Sequence, residues 1–172
     1  MNKLKKLVAA VLLFAMCFSM SAFGNEWTWE NLSSIHNKSV LLDPSVDFSE
    51  GIATPARRGA ILSQGIVRIG SDGKGNIKVT ITTLAHEVVD LIHHEALIDQ
   101  WDEKKQVWVN IESVEFERTK AEDPTLSVLM NSFTMTGYPT NKYYRVRGLH
   151  LVEQDDYSEG CASSTQGVYI TK

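Results

Sequence analysis

Along residues 77–83, Ile77, Val79, Ile81 and Thr83 alternate with Lys78, Thr80 and Thr82, and this period of two predicts a strand with one apolar face. The same period returns where Val107, Val109 and Ile111 alternate with Trp108, Asn110 and Glu112. It returns again in 142–152, with Tyr144, Val146 and Val152 on one parity and Tyr143, Arg145 and Arg147 on the other. Gly148 interrupts that last segment, and a glycine in mid-strand predicts a bulge at which the inward parity changes. Further apolar segments lie at 61–69 and 126–135, and one at about 165–171 closes the sheet. The glycine-rich run 70–76 and Gly137-Tyr138-Pro139 read as turns. The charged loop Asp102-Glu103-Lys104-Lys105 is short enough to join antiparallel neighbours.

Residues 88–101 carry apolar side chains on both parities, as a strand buried on both faces would. A helix competes, because Leu84, Val88, Leu91, Glu95 and Ile98 fall at steps of four and three; strand is the expectation. From 25 to 58 the pattern is weak. Trp27 and Trp29 sit among polar residues, and Asp43-Pro44 and Thr54-Pro55 mark turns, so this stretch reads as an irregular arm. About seven short strands in 59–172 predict an all-β, antiparallel sandwich of the immunoglobulin or fibronectin type. The run Tyr143-Tyr144-Arg145-Val146-Arg147 resembles the sixth strand of such domains, whose tyrosine hydroxyl ties down the preceding corner. Architecture alone carries no activity.

The first 24 residues change the picture. Lys3, Lys5 and Lys6, an apolar run from Leu7 to Phe18 and the small-x-small end Ala22-Phe23-Gly24 predict a signal peptide cleaved after Gly24. The run is about a dozen residues, short of the roughly twenty needed to cross a bilayer, so no membrane span is expected after cleavage. A lipoprotein signal is the rival reading through Cys17, but Met16 stands where lipidation favours glycine or alanine. Losing three of 17 basic residues leaves 14 against 21 acidic ones, a net charge of −7 on the remaining 148 residues. Such a field does not draw phosphate backbones, and nucleic acid is excluded as an expected partner. Cleavage leaves Cys161 as the one thiol, so no internal disulfide is expected and the core must hold the fold.

Several segments resemble a small family of exported Gram-positive (Firmicutes) proteins, a domain of unknown function with no assigned activity. They are Ala56-Arg57-Arg58-Gly59, Val89-Asp90-Leu91-Ile92, the pair Trp101 and Trp108, Tyr143-Tyr144-Arg145-Val146-Arg147-Gly148-Leu149-His150, and Ser164-Thr165. The resemblance spans about 56–170. It implies a secreted location, extracellular or associated with the cell wall, and transfers no catalytic residue.

Candidate chemistry is sparse. His86-Glu87-Val88-Val89-Asp90 resembles the zinc-protease helix, with Asp90 where the second histidine belongs. On a helix His86, Asp90 and His93 or His94 share a face and chelate zinc; on a strand His93 and His94 point apart. Cys161 is a candidate nucleophile with His150 as base, although no arginine follows it to hold an oxyanion. No nucleophile elbow occurs, the run 70–76 lacks a phosphate-loop ending, and Asp155, Asp156 and Glu159 match no calcium spacing. Tyr143, Arg145 and Arg147 share a parity suited to a cationic, aromatic binding face, unless the arginines pair with Glu112, Glu115 or Glu117. Trp108 alternates with Val107 and Val109 and is the strongest single candidate for stacking a sugar. The expectation is therefore a secreted, non-enzymatic binding or interaction module without a cofactor, using Trp108, Tyr143, Arg145 and Arg147 for a glycan or peptide. The alternative is a zinc-dependent hydrolase using His86, Glu87, Asp90 and His94.

Overall fold

The computed structural model describes residues 39–55 and 59–172. The segment expected to be a signal peptide, the Trp27 and Trp29 stretch and Ala56–Arg58 lie outside the described residues. Nine strands follow in order: β1 (Phe48–Ala53), β2 (Leu62–Ser71), β3 (Ile77–Ala85), β4 (Leu91–Asp102), β5 (Val107–Thr119), β6 (Val128–Met135), β7 (Lys142–Gln154), β8 (Tyr157–Ser164) and β9 (Val168–Ile170). They form two antiparallel sheets, one ordered β1-β2-β3-β6 and the other β5-β4-β7-β8, with β9 also pairing to β7. Setting β1 aside, β2, β3 and β6 stand as strands A, B and E of an immunoglobulin-type sandwich. The other sheet supplies C′, C, F and G, with G split into β8 and β9. The expected sandwich is the observed fold, with two strands beyond the seven read from the pattern.

The alternation at 77–83 works as predicted. Ile77, Val79, Ile81 and Thr83 are all at most 1% exposed, and each buried isoleucine contributes about 1.5–3 kcal/mol of transfer free energy. Tyr144 makes the expected corner on β7: its hydroxyl donates to the Pro139 carbonyl at 2.6 Å, and burial pushes its pKa up to about 12. Residues 91–102 are a strand, not a helix, paired from Leu91 to Asp102 with β5 on one side and from Leu91 to Gln100 with β7 on the other.

Three local expectations are corrected. Part of the irregular arm is a strand, because β1 pairs in register with β2 from Phe48↔Gly70 to Ala53↔Gly65. The stretch around Cys161, 159–165, which the pattern leaves as a small polar loop or a strand entry, falls largely in β8, paired to β7 from Arg147↔Ser164 to Gln154↔Tyr157. The irregularities fall elsewhere than Gly148: in β5, where Ile98 faces Glu112 and Asp99 faces Asn110, leaving Ile111 as the extra residue, and in β2, where Leu62 faces Ala85 and Gln64 faces Leu84. Gly148 keeps register with both neighbours, Ala96 and Ser163. It is needed for space instead, since a Cβ there would meet Val67, would stand 2.7 Å from His150 Nε2 and 2.8 Å from Ser163 Oγ.

Glu159 fastens the start of β2 to β8 by accepting the backbone N–H groups of Ala60, Ile61 and Leu62 at 3.0, 2.9 and 2.8 Å. Burial pushes its pKa up, but those three donors outweigh burial and hold it below the ordinary carboxylate range. Among the described residues no helix is long and apolar enough to cross a membrane.

Candidate functional site

The β4–β5 hairpin is closed by Asp102, whose carboxylate accepts the N–H groups of Lys104 and Lys105 while its carbonyl accepts that of Gln106 at 2.7 Å. Gln106 takes the left-handed conformation, φ 53°, that turns the chain back. This tight turn brings Trp108 directly opposite Trp101, with ring centroids 5.2 Å apart and planes at 62°.

Two positions further along β4, Asp99 lies opposite Arg145 of β7. Its carboxylate accepts Nε of both Arg145 and Arg147 at 2.8 Å, and Nη2 of Arg147 at 2.9 Å. Asp99, Arg145 and Arg147 are only 1%, 2% and 7% exposed. Burial pulls the Arg145 pKa down against the support of Asp99. The Arg145 guanidinium lies 4.8 Å from the Trp108 ring centre and donates from Nη1 to Ser39 Oγ at 3.1 Å. Gly167 leaves room for the indole edge, since a Cβ there would come within 2.7 Å of it.

Together Trp101, Trp108, Asp99, Arg145, Arg147 and Gln106 line most of a concavity of about 580 Å³ on the outer side of the β5-β4-β7-β8 sheet. Its polar groups are held by one another and its indoles supply planar apolar area, the mixture that orients and retains a sugar or peptide side chain. A smaller hollow of about 330 Å³, lined by Gln100, Val109, Ile111 and Lys142, shares Trp101.

Three of the four residues expected at a binding face therefore meet. Tyr143 does not join them: it stacks on Tyr169 at 4.8 Å and donates its hydroxyl to the Leu42 carbonyl at 3.0 Å. Of the glutamates offered as arginine partners, Glu112 accepts from the Tyr138 hydroxyl at 2.9 Å and Glu117 lies 3.7 Å from His93. Asp99 is the residue that pattern reading missed. Its signal was a carboxylate directly after Ala96-Leu97-Ile98, at a position two arginines of β7 require.

The residues of the zinc alternative are dispersed. His86 and Glu87 are exposed beyond the end of β3. Asp90 binds Lys120 Nζ at 3.1 Å and the Asp155 N–H at 2.8 Å. His94 is in the core, while its neighbour His93 is on the opposite face beside Glu117. Among the described residues no three histidine, cysteine, aspartate or glutamate side chains are grouped to hold a metal ion. Cys161 is 5% exposed and burial pushes its thiol up to about 12, while His150 bonds to Thr83 and Ser163 rather than to sulfur.

Fold and concavity define an immunoglobulin/fibronectin-like sandwich with a mixed aromatic and charged surface site. No family model matches the chain, and no curated protein matches it.

Proposed function

We propose that this protein is a secreted, non-enzymatic binding module that takes a glycan or peptide ligand at the Trp108 concavity. The observation that carries this reading is the stack of Arg145 on Trp108 beside the Asp99 carboxylate, at the mouth of a hollow large enough for one or two sugar rings. The polar groups are ordered before any ligand arrives, so binding would cost little side-chain entropy. Export from the cell is supported by the charge and hydrophobic order of residues 1–24, and a Gram-positive surface by the resemblance of 56–170 to that exported family. An array of glycans and peptides probed with the wild-type protein and Trp108→Ala tests the site. Binding to one class that falls at least tenfold in the variant supports the reading, and equal capture by both proteins refutes it.

A further inference from the structure

The core of the sandwich is divided. One apolar cluster gathers Val67, Ile81, Ile98 and Val146, and the other gathers Leu62, Ile92, Leu129 and Val152. Between these levels every core strand from β2 to β8 except β5 contributes a residue that is not apolar: Gly65, Thr83, His94, Asn131, His150 and Ser163. Four hydrogen bonds connect the five side chains, with Gly65 leaving room beside the His150 ring. The atoms are spaced Ser163 Oγ to His150 Nε2 at 2.8 Å, His150 Nδ1 to Thr83 Oγ1 at 2.9 Å, Thr83 Oγ1 to His94 Nδ1 at 3.1 Å, and His94 Nε2 to Asn131 Oδ1 at 2.9 Å. The chain crosses from sheet to sheet three times, since Thr83 and Asn131 belong to one and His94, His150 and Ser163 to the other.

With both rings neutral, one proton order satisfies it. His94 must donate from Nε2 to the Asn131 carbonyl oxygen, so its Nδ1 accepts from the Thr83 hydroxyl. Thr83 oxygen then accepts from His150 Nδ1–H, and His150 Nε2 accepts from the Ser163 hydroxyl. Both rings are neutral in this arrangement. A proton added to His94 Nδ1 sets two N–H donors on Thr83 and deprives the Thr83 hydroxyl of its acceptor.

We propose that His94 and His150 form a proton-operated latch between the two sheets, closed while both rings are neutral and released by acid. Among the described residues, nothing on the neighbouring elements compensates a charge there. β3 presents Thr83, β6 presents Asn131, β5 presents the Phe116 ring edge-on to His94 at 5.6 Å, and β8 presents Ser163 and the protonated Cys161 thiol. β2 presents Gly65, and the inward carboxylate of β8, Glu159, is committed to the backbone of residues 60–62. On β4 itself the adjacent His93 adds repulsion. Burial lowers the pKa of His94 to about 4 and that of His150 to about 3, and a charge on His94 further disfavours one on His150.

The direction follows from linkage. The unfolded chain takes up protons at both rings near pH 6.5, whereas the folded chain does not until about 4 and 3. Stability is thus complete above 6.5, declines as the pH falls from there, and levels off near 3. Between pH 7 and pH 5 each ring raises the unfolding constant about 25-fold, and the pair about 600-fold. Urea unfolding of the full chain across this range tests the latch, with His94→Gln expected to reduce the rise to about 25-fold. If that variant does not fold, imidazole carbon NMR of the wild type decides. Two rings staying neutral below pH 5 in the folded protein uphold the latch. Titration of both near 6.5, or an unfolding constant unchanged between pH 7 and 5, overturns it.

Discussion

Replacing Asp99 by asparagine preserves the shape of the side chain and removes its charge from a site where two guanidiniums converge. Asp99 accepts three bonds of 2.8–2.9 Å from Arg145 and Arg147, and all three residues are at most 7% exposed. Water does not screen such an arrangement, so the values typical of exposed pairs, about 0–1 kcal/mol, do not apply. Removing one partner from a buried ion pair costs about 3–5 kcal/mol. Here two cations face each other once the carboxylate is gone, and the upper half of that range is expected. Against a total stability of about 5–15 kcal/mol, the loss lowers the thermal midpoint by about 10 °C. Urea unfolding followed by tryptophan fluorescence, with the midpoint shift multiplied by an unchanged slope, gives the number directly. A second comparison sharpens it: Asp99→Leu with Arg145→Met and Arg147→Met should recover much of the loss, because the desolvation cost disappears with the charges. An Asp99→Asn change of less than 1 kcal/mol would refute the description of the trio as a buried electrostatic unit.

Tyr144→Phe removes only the hydroxyl bonded to Pro139 and is expected to cost about 1 kcal/mol, read from the urea midpoint, with secondary structure by circular dichroism unchanged. Gly65→Ala directs a methyl group into the His150 ring, where Nε2 would be 2.7 Å away. The expected cost is about 1–3 kcal/mol, measured by thermal unfolding, and a neutral result would show that His150 is free to move aside.

Strands with ordinary amphipathic patterns were legible in the sequence, and those whose inward residues are small were not. β1 is the clearest case. Its large apolar side chains, Phe48 and Ile52, face solvent at 51% and 56% exposure, while Ser49, Gly51 and Ala53 face inward. Gly51 packs against the backbone of Ser164, so the burial arises from close approach of two chains rather than from side-chain volume. β8 is hidden for the same reason, since its inward Cys161 and Ser163 give no hydrophobic period. The β5 bulge was legible in principle: the apolar residues run odd-numbered through Val107, Val109 and Ile111 and then even-numbered through Val114 and Phe116, with Ile111, Val114 and Phe116 all packing against the core. Reading the parity change there rather than at Gly148 would have placed it correctly.

At the site, Trp101, Trp108, Arg145 and Arg147 were legible as residues but their geometry was not. Parity placed the arginines on one face without saying that this part of the face is buried around Asp99. The histidines were misleading in the opposite sense. Their spacing invited a metal, whereas β4 directs His94 into the core to meet His150 from a strand more than fifty residues away.

Nuclear magnetic resonance of the indole N–H groups tests the central claim most directly, by following Trp101 and Trp108 while a ligand captured on the array is titrated in. The account expects both signals to move at the lowest ligand concentrations, together with the Gln106 amide, and to stay still in Asp99→Asn if that variant no longer binds. Shifts confined to the opposite sheet, around Ile52 and Met130, with both indoles unmoved, would contradict it.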